Sequence, residues 1–307
     1  MTKVCLIGDR QGWVIDKIIE DYCKFTTCQV VALNSSPDIV WFVSLFDYFK
    51  YHASVPSQIK IVVSVHHIDE DKINKYNFKL LCRAKTCIVP NDITHKCLVK
   101  NSCINVSKLP YWILSGYMEK PNLSRINDIK TLIGHKKEML IGSCVKDGNG
   151  TDGLTPKLSK GPDIFLDVIE QVKEVFPIKV ILCGYARKYM VNGLQKMNVK
   201  YSYLEKFNDI NSFYDILDWY LVTSRFEGGP QSILEASYRK TKILSTNVGI
   251  ASIILHPNCI CQNSKDFASK IISGVEAIDY NHNSVCSGYL PNIVIPCYDK
   301  LFRDINL

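Results

Sequence analysis

Short, continuous apolar segments alternate with amphipathic helical segments along the whole of this sequence. The clearest apolar segments are residues 4–7, 39–43, 59–65, 139–142, 180–184 and 219–223. Strands of a parallel sheet that is covered on both faces read as continuous apolar runs, whereas half-exposed strands alternate. The pattern therefore predicts an α/β fold with parallel, doubly wound sheets.

The alternation falls into two series of similar size. We interpret the polar, aperiodic segment 120–137 between them as a linker. A chain of 307 residues is long enough for two ordinary domains. We therefore expect an N-terminal Rossmann-like domain at residues 1–133, a second at residues 134–285, and a tail at residues 286–307 that packs back on the first.

Charge and cysteine content narrow the class of protein. The 37 basic and 30 acidic residues give a net charge of +7 without a basic block, so we expect no nucleic-acid partner. An anionic ligand or peripheral contact with an acidic membrane remains open. None of the 13 cysteines forms a CxxC pair, and no apolar run reaches the ~18 residues of a membrane span. We expect a reducing, cytoplasmic location without a transmembrane segment.

A glycine-rich turn between a strand and a helix is the most informative motif. Glu227, Gly228, Gly229 and Pro230 follow the strand at 219–223, and a helix carrying Glu235 begins directly after them. The glycines permit an unusual backbone path, and proline suits the first helical position. A helix N-terminus in this position predicts an anion site bordered by two carboxylates. A helix start with two solvated acids is the alternative interpretation.

A second motif contains two lysines at the same sheet edge. Lys146 follows the strand at 139–142, and Lys160 opens the next helix through Gly161 and Pro162. Two cations beside a helix N-terminus can neutralise a diphosphate without a metal. A solvated charged loop is the alternative.

Together the two motifs resemble the glycosyltransferase family 4 type of retaining enzymes, which have the GT-B fold of two facing Rossmann-like domains. The resemblance rests on Glu227 and Glu235, with seven residues between them, and on the Lys160 element. It extends to the strand and turn at 245–249. It implies transfer of a sugar from a nucleotide-sugar donor to a glycan or glycoconjugate acceptor, without a cofactor or metal. Lys146, Lys160 and the Gly228–Pro230 turn then contact the diphosphate, Glu235 the ribose, and Glu227 the reacting sugar.

The same resemblance suggests site residues in the N-terminal half. His66 directly follows the apolar run at 59–65, where family members carry a histidine near the transferred sugar. His67 is the second candidate for this role. A histidine that caps the strand is the alternative. Gly12 lies in the loop after the first strand, which faces the donor or acceptor in the family, although this loop lacks a dinucleotide fingerprint.

Three other functions stay open at this stage. Asp69 and Asp71 form a DxD triplet that a divalent metal could use, although DxD belongs to transferases of another fold. A sugar-nucleotide epimerase has the same fold and needs no acceptor. A catalytically silent nucleotide-sugar-binding module is the third.

Overall fold

The computed structural model describes residues 1–8, 14–68, 78–101, 105–150, 153–207 and 209–307. The chain divides into two compact units, Met1–Ser115 with Gly288–Leu307, and Gly116–Ser287. The chain therefore first passes from one unit to the other between residues 115 and 116, whereas the sequence pattern predicted this boundary between residues 133 and 134.

The first unit contains a six-stranded sheet in the order β2-β1-β3-β4-β5-β6, with all strands parallel. Its strands are β1 (Lys3–Ile7), β2 (Gln29–Val30), β3 (Ile39–Phe42), β4 (Lys60–Ser64), β5 (Thr86–Val89) and β6 (Val106–Lys108). Its first three helices are α1 (Val14–Phe25), α2 (Leu45–Tyr51) and α3 (Asp92–Asn101). Every residue of β3 and β5 is buried, as expected of central strands covered on both faces.

The second unit contains a six-stranded parallel sheet in the order β12-β11-β10-β7-β8-β9. Its strands are β7 (Met139–Ser143), β8 (Ile178–Cys183), β9 (Lys200–Leu204), β10 (Trp219–Val222), β11 (Lys242–Thr246) and β12 (Ile260–Cys261). Its helices are α4 (Leu123–Leu132), α5 (Pro162–Val172), α6 (Lys188–Lys196), α7 (Ile210–Ile216), α8 (Gln231–Tyr238), α9 (Ala251–Ile254), α10 (Ser264–Ile272) and α11 (Ile278–Gly288). The two sheets confirm the predicted α/β class with doubly wound, Rossmann-like units.

The segment 120–137, which we interpreted as a linker, contains helix α4, so that interpretation was wrong. The Asn122 side chain caps α4 by accepting a hydrogen bond from the backbone N–H of Arg125, at 3.1 Å. Ile129 is the one buried residue of this helix. A helix with a single buried side chain lacks the apolar periodicity that identifies helices in a sequence. It packs against α7, and Arg125 pairs with Asp209 at 2.8 Å.

The C-terminal helix α12 (Pro291–Asn306) belongs to the first unit, where it contacts α1. The fully buried Asp299 of α12 accepts four hydrogen bonds from the end of α1 and the following turn. The donors are the Tyr22 hydroxyl at 2.9 Å, the Thr26 hydroxyl at 2.6 Å, and the backbone N–H and hydroxyl of Thr27 at 2.7 and 2.8 Å. The Asp299 carboxylate thus fixes helix α12 to the end of α1.

None of the helices within the described ranges combines the length and the apolar character needed to cross a membrane.

Candidate functional site

The second sheet has a switch point between β7 and β10. The chain runs from β7 outward through β8 and β9, and from β10 outward through β11 and β12 on the other side. In open parallel sheets, ligands bind outside the carboxyl ends of the strands at such a point. The loop after β7 carries Lys146, and the loop after β10 carries Glu227, Gly228, Gly229 and Pro230. Both predicted motifs therefore lie at the edge where a ligand is expected.

Two of the predicted contact residues form an ion pair with each other. The ammonium group of Lys160 donates a hydrogen bond to Glu227 Oε1, and the Ser224 hydroxyl donates to the same oxygen at 3.2 Å. The side chains of Lys160 and Glu227 are 20% and 12% exposed. The pair is therefore largely, but not completely, screened from water.

A glycine allows the two loops to meet. Gly161 has a φ of +65°, and a Cβ atom there would lie 1.8 Å from the Thr223 carbonyl oxygen. The Thr223 hydroxyl donates to the Gly161 carbonyl at 2.9 Å. The backbone N–H groups of Arg225 and Phe226 donate to the Ser159 carbonyl at 2.8 and 3.2 Å. No other residue type fits at position 161 while the loops stay this close.

The contact between the loops places the starts of α5 and α8 at one edge. Gly161 and Pro230 are the residues that precede these helices, and neither supplies a side-chain cap. Asp163 in the first turn of α5 is bound instead by Arg225, at 2.8 and 2.7 Å. That hydrogen bond lowers the pKa of Asp163, although partial burial opposes it. The first backbone N–H groups of a helix that has no side-chain cap favour an anion.

The turn after β11 supports the glycine-rich loop from behind. Gly249 has a φ of +54°, and a Cβ atom there would lie 2.8 Å from the Gly228 carbonyl oxygen. The Thr246 hydroxyl donates to the Ser224 carbonyl at 2.5 Å. Thr246 and Gly249 therefore lie against the loop that carries Glu227.

Lys146 is exposed at the start of a loop that a buried ion pair holds. The next residue, Asp147, accepts from Nε and Nη2 of the fully buried Arg187 at 3.0 and 2.9 Å. Arg187 also donates to the carbonyls of Ser143 and Cys183, at 2.9 and 2.6 Å, and to the Ser143 hydroxyl at 3.1 Å. Burial raises the pKa of Asp147, and Arg187 opposes the rise. No sequence motif marks this arginine, which ties the ends of β7 and β8 to the loop.

The loop of Lys146 returns directly to Lys160. The backbone N–H of Lys157 donates to the Asp147 carbonyl at 2.7 Å. Gly148 and Gly153 lie so close to Ala186 that a Cβ atom on either would approach its backbone to 2.4 Å or less. The Asp147–Arg187 pair therefore fixes the backbone of the loop that carries Lys146, and that loop contacts the segment leading to Lys160.

Glu235 lies just over one turn into α8 and is buried, at 6% exposure. The hydroxyl of the fully buried Tyr214 donates to its Oε2 at 2.6 Å. A hydrogen bond from Tyr117 reaches the same carboxylate. The two predicted glutamates are therefore in different surroundings, one paired with lysine and one held by phenols.

His66 has partners for both ring nitrogens within the first unit. Nε2 lies 2.7 Å from the Val43 carbonyl, which can only accept, so Nε2 carries the proton. Nδ1 then accepts from the Tyr111 hydroxyl at 2.6 Å. Burial lowers the pKa of His66 to about 4. The imidazole is therefore neutral at pH 7, and the neighbouring His67 is exposed.

Two sequence hypotheses concern residues outside the described part of the chain. Gly12 lies in the gap between residues 8 and 14, and Asp69 and Asp71 lie in the gap between residues 68 and 78. Within the described ranges, no group of three or more histidine, cysteine, aspartate or glutamate side chains is arranged to hold a metal ion.

Residues 153–276 match the family model described as "Glycosyl transferases group 1". The matched segment contains Lys160, Glu227 and Glu235 and leaves out Lys146 and His66. No curated protein sequence matches the chain.

Solved structures share the fold over nearly the whole chain. A glycosyltransferase from Rickettsia africae ESF-5 is 15% identical with a TM-score of 0.76, over 99% of this chain and 98% of that chain. HepE from Anabaena, in complex with UDP and glucose, is 13% identical with a TM-score of 0.76, over 99% and 98%. Sucrose-phosphate synthase from Thermosynechococcus elongatus is 11% identical with a TM-score of 0.73, over 99% of each chain. The expected GT-B fold is thereby confirmed.

Proposed function

We propose that this protein is a glycosyltransferase that moves a sugar from a nucleotide diphosphate sugar to a hydroxyl acceptor. The observation that carries the proposal is the junction at the switch point. There the Lys160–Glu227 pair lies beside the starts of α5 and α8, neither of which has a side-chain cap. The glycosyl transferases group 1 match and the shared fold support the same reaction class.

The chemical difficulty of this reaction is the negative charge that develops on the leaving nucleotide diphosphate. Preorganised N–H groups and cations aimed at that charge lower the barrier. An ammonium group has three N–H donors, so Lys160 can keep Glu227 and still reach a phosphate oxygen. In this proposal the two helix starts, Gly228 and Gly229, and Lys146 bind the remaining oxygens.

We further propose that the reaction retains the anomeric configuration and needs no cofactor or metal. The bond from the anomeric carbon to phosphate breaks, the bond to the acceptor oxygen forms on the same face, and the phosphate takes the acceptor proton. Glu227 holds hydroxyl groups of the sugar close to the reacting carbon. A pKa of about 4 makes His66 a weak base at pH 7. We therefore assign His66 a contact with the sugar rather than a role as general base.

The acceptor and the cellular setting are also proposals. We take a glycan or glycoconjugate as the acceptor class, with the first unit selecting it, in a cytoplasmic protein that touches the membrane at most peripherally. UDP is the first nucleotide to test, because HepE, which shares the fold, was solved with it.

Release of nucleotide diphosphate from nucleotide-sugar donors, measured with and without acceptor glycans, tests the proposed function. A transferase releases the diphosphate in an acceptor-dependent way. An epimerase changes the sugar without steady release, and a silent module binds the donor and does neither. No binding of any nucleotide diphosphate would contradict the proposal.

Replacing Lys160 by Ala should weaken UDP binding by roughly 10- to 150-fold. A hydrogen bond to a charged group contributes about 1.5–3 kcal/mol, and each 1.4 kcal/mol is about tenfold in affinity. Isothermal titration of UDP measures the loss. Lys206→Ala is the matched control, because Lys206 is exposed just after β9, at the far end of the same sheet edge. Equal affinity of Lys160→Ala and wild type would remove Lys160 from the site.

Activity should persist in EDTA. The cation Lys160 and the starts of α5 and α8 supply the positive charge that a magnesium ion provides in DxD enzymes. The measurement is the rate of UDP release before and after chelation. Loss of the rate on chelation, with recovery on adding manganese, would favour the alternative site at Asp69 and Asp71.

A further inference from the structure

A buried cluster of phenols and one thiol surrounds Glu235. We name it the Glu235 cluster and define it as Tyr117, Cys144, Tyr214, Tyr220 and Glu235. Tyr214 and Tyr220 are fully buried, with ring centroids 5.1 Å apart, and Tyr117 is 7% exposed. Cys144 directly follows β7, and Tyr220 lies on β10. The cluster therefore lies beneath the switch point of the second sheet.

Hydrogen bonds link the thiol of the cluster to the carboxylate through Tyr214. The Cys144 sulfur lies 3.0 Å from the Tyr220 hydroxyl and 3.3 Å from the Tyr214 hydroxyl. Tyr214 in turn donates to Glu235 Oε2 at 2.6 Å. Burial raises the pKa of Tyr214 well above its usual value, so the phenol keeps its proton and remains a donor. The Glu235 side chain is thus held in one orientation by a group that is itself held.

A carboxylate offers about four lone-pair sites to hydrogen-bond donors. Tyr214 and Tyr117 are among the donors that reach the Glu235 carboxylate. A vicinal diol, such as the 2′- and 3′-hydroxyls of a ribose, supplies two further donors of matching geometry. A side chain fixed in advance loses less conformational entropy when the ligand binds.

We propose that Tyr214 is a positioning residue: its hydroxyl fixes Glu235 for the ribose hydroxyls of the nucleotide and thereby contributes to the preference of this site for ribonucleotides. The inference rests on the proposed function, because it takes the ligand of the switch point to be a nucleotide diphosphate. A deoxynucleotide leaves a buried carboxylate oxygen without its donor, and sites built to bind a hydroxyl reject analogues that lack it.

The test compares the affinities of ribonucleotide and 2′-deoxyribonucleotide diphosphates by isothermal titration. The probes are UDP, ADP and GDP, each paired with its 2′-deoxy form. Wild type should prefer the ribose form of its best nucleotide by roughly tenfold or more. Tyr214→Phe, which removes one hydroxyl, should lower that preference by roughly threefold or more. Glu235→Gln should lower it too, and adding Tyr214→Phe to Glu235→Gln should change it little further.

Tyr220→Phe is the matched control, because it removes an equally buried hydroxyl that bonds Cys144 instead of Glu235. It should keep the wild-type preference. If Tyr214→Phe weakens both forms equally and keeps the preference, Tyr214 is only structural and the inference fails while the proposed function stands. If wild type binds none of the six nucleotides, the proposed function fails, and the inference fails with it.

Discussion

Replacing Arg187 by Met should lower the free energy of unfolding of the second unit by about 3–5 kcal/mol. The substitution keeps most of the side-chain volume but leaves Asp147 buried without its cation, and breaking a buried ion pair at one partner has a cost of this size. It also leaves the carbonyls of Ser143 and Cys183 without a donor. Urea denaturation gives the total, and hydrogen exchange of β7 and β8 assigns the loss to the second unit.

The pH dependence of this loss has a definite sign. Burial already raises the pKa of Asp147, and removing Arg187 raises it further. The native state then binds a proton at a pH where the unfolded chain, with a pKa of about 3.9, does not. The stability deficit should therefore be full at about pH 7 and shrink as the pH falls toward about 4.

Two further variants separate the buried pair from ordinary charge loss. Arg187→Met with Asp147→Asn should recover part of the stability, because no charge remains buried. Arg125→Met removes an arginine from the half-exposed pair with Asp209, and should cost about 1 kcal/mol or less. If Arg187→Met is no worse than Arg125→Met, the buried pair does not hold the loop.

The central strands of both sheets could be predicted from the sequence, and the edge strand β9 could not. β3, β5 and β10 consist entirely of buried residues, so their apolar runs are continuous. β9 has no buried residue, so it yields no such run. Helix α4 was missed for the same reason, since tertiary contacts with α7 stabilise it rather than an apolar stripe.

Some residues of the candidate site could likewise be predicted from the sequence, and others could not. Motif spacing brought Lys160 and Glu227 to one edge, and the structure joins them in an ion pair. Arg187 could not be found, because its role depends on contacts with Asp147 and Ser143, 40 and 44 residues away in the chain. Tyr214 likewise reads as an apolar-face aromatic on α7, and only the packed structure shows its hydroxyl on Glu235. Strands, turns and helix starts could thus be predicted from the sequence, whereas contacts between side chains that are distant in the sequence could not.

Replacing Asp299 by Ala should destabilise the first unit by about 3 kcal/mol or more. The carboxylate accepts four hydrogen bonds, and bonds to a charged group contribute about 1.5–3 kcal/mol each before compensation by water. Truncation leaves the buried Tyr22 hydroxyl and the Thr27 N–H without this acceptor. Docking of α12 on α1 depends on this acceptor, so hydrogen exchange of both helices should rise. Urea denaturation at about pH 7 measures the total loss.

The pKa of Asp299 is shifted in the opposite direction to that of Asp147, although both stability deficits shrink in acid. Burial alone would raise the pKa of Asp299, but the bonds from Thr26, Thr27 and Tyr22 outweigh it and hold the pKa below its usual value. The stabilisation is therefore complete above the unfolded pKa of about 3.9 and is lost as the pH falls through the lower folded pKa. The difference between wild type and Asp299→Ala should thus be constant from about pH 5 to 7 and narrow in stronger acid.

Asp304→Ala, on the exposed face of the same helix, should stay within about 0.5 kcal/mol of wild type at every pH. A deficit for Asp299→Ala as small as that of Asp304→Ala would mean that aromatic packing around Phe302, rather than the buried carboxylate, holds the C-terminal helix in place.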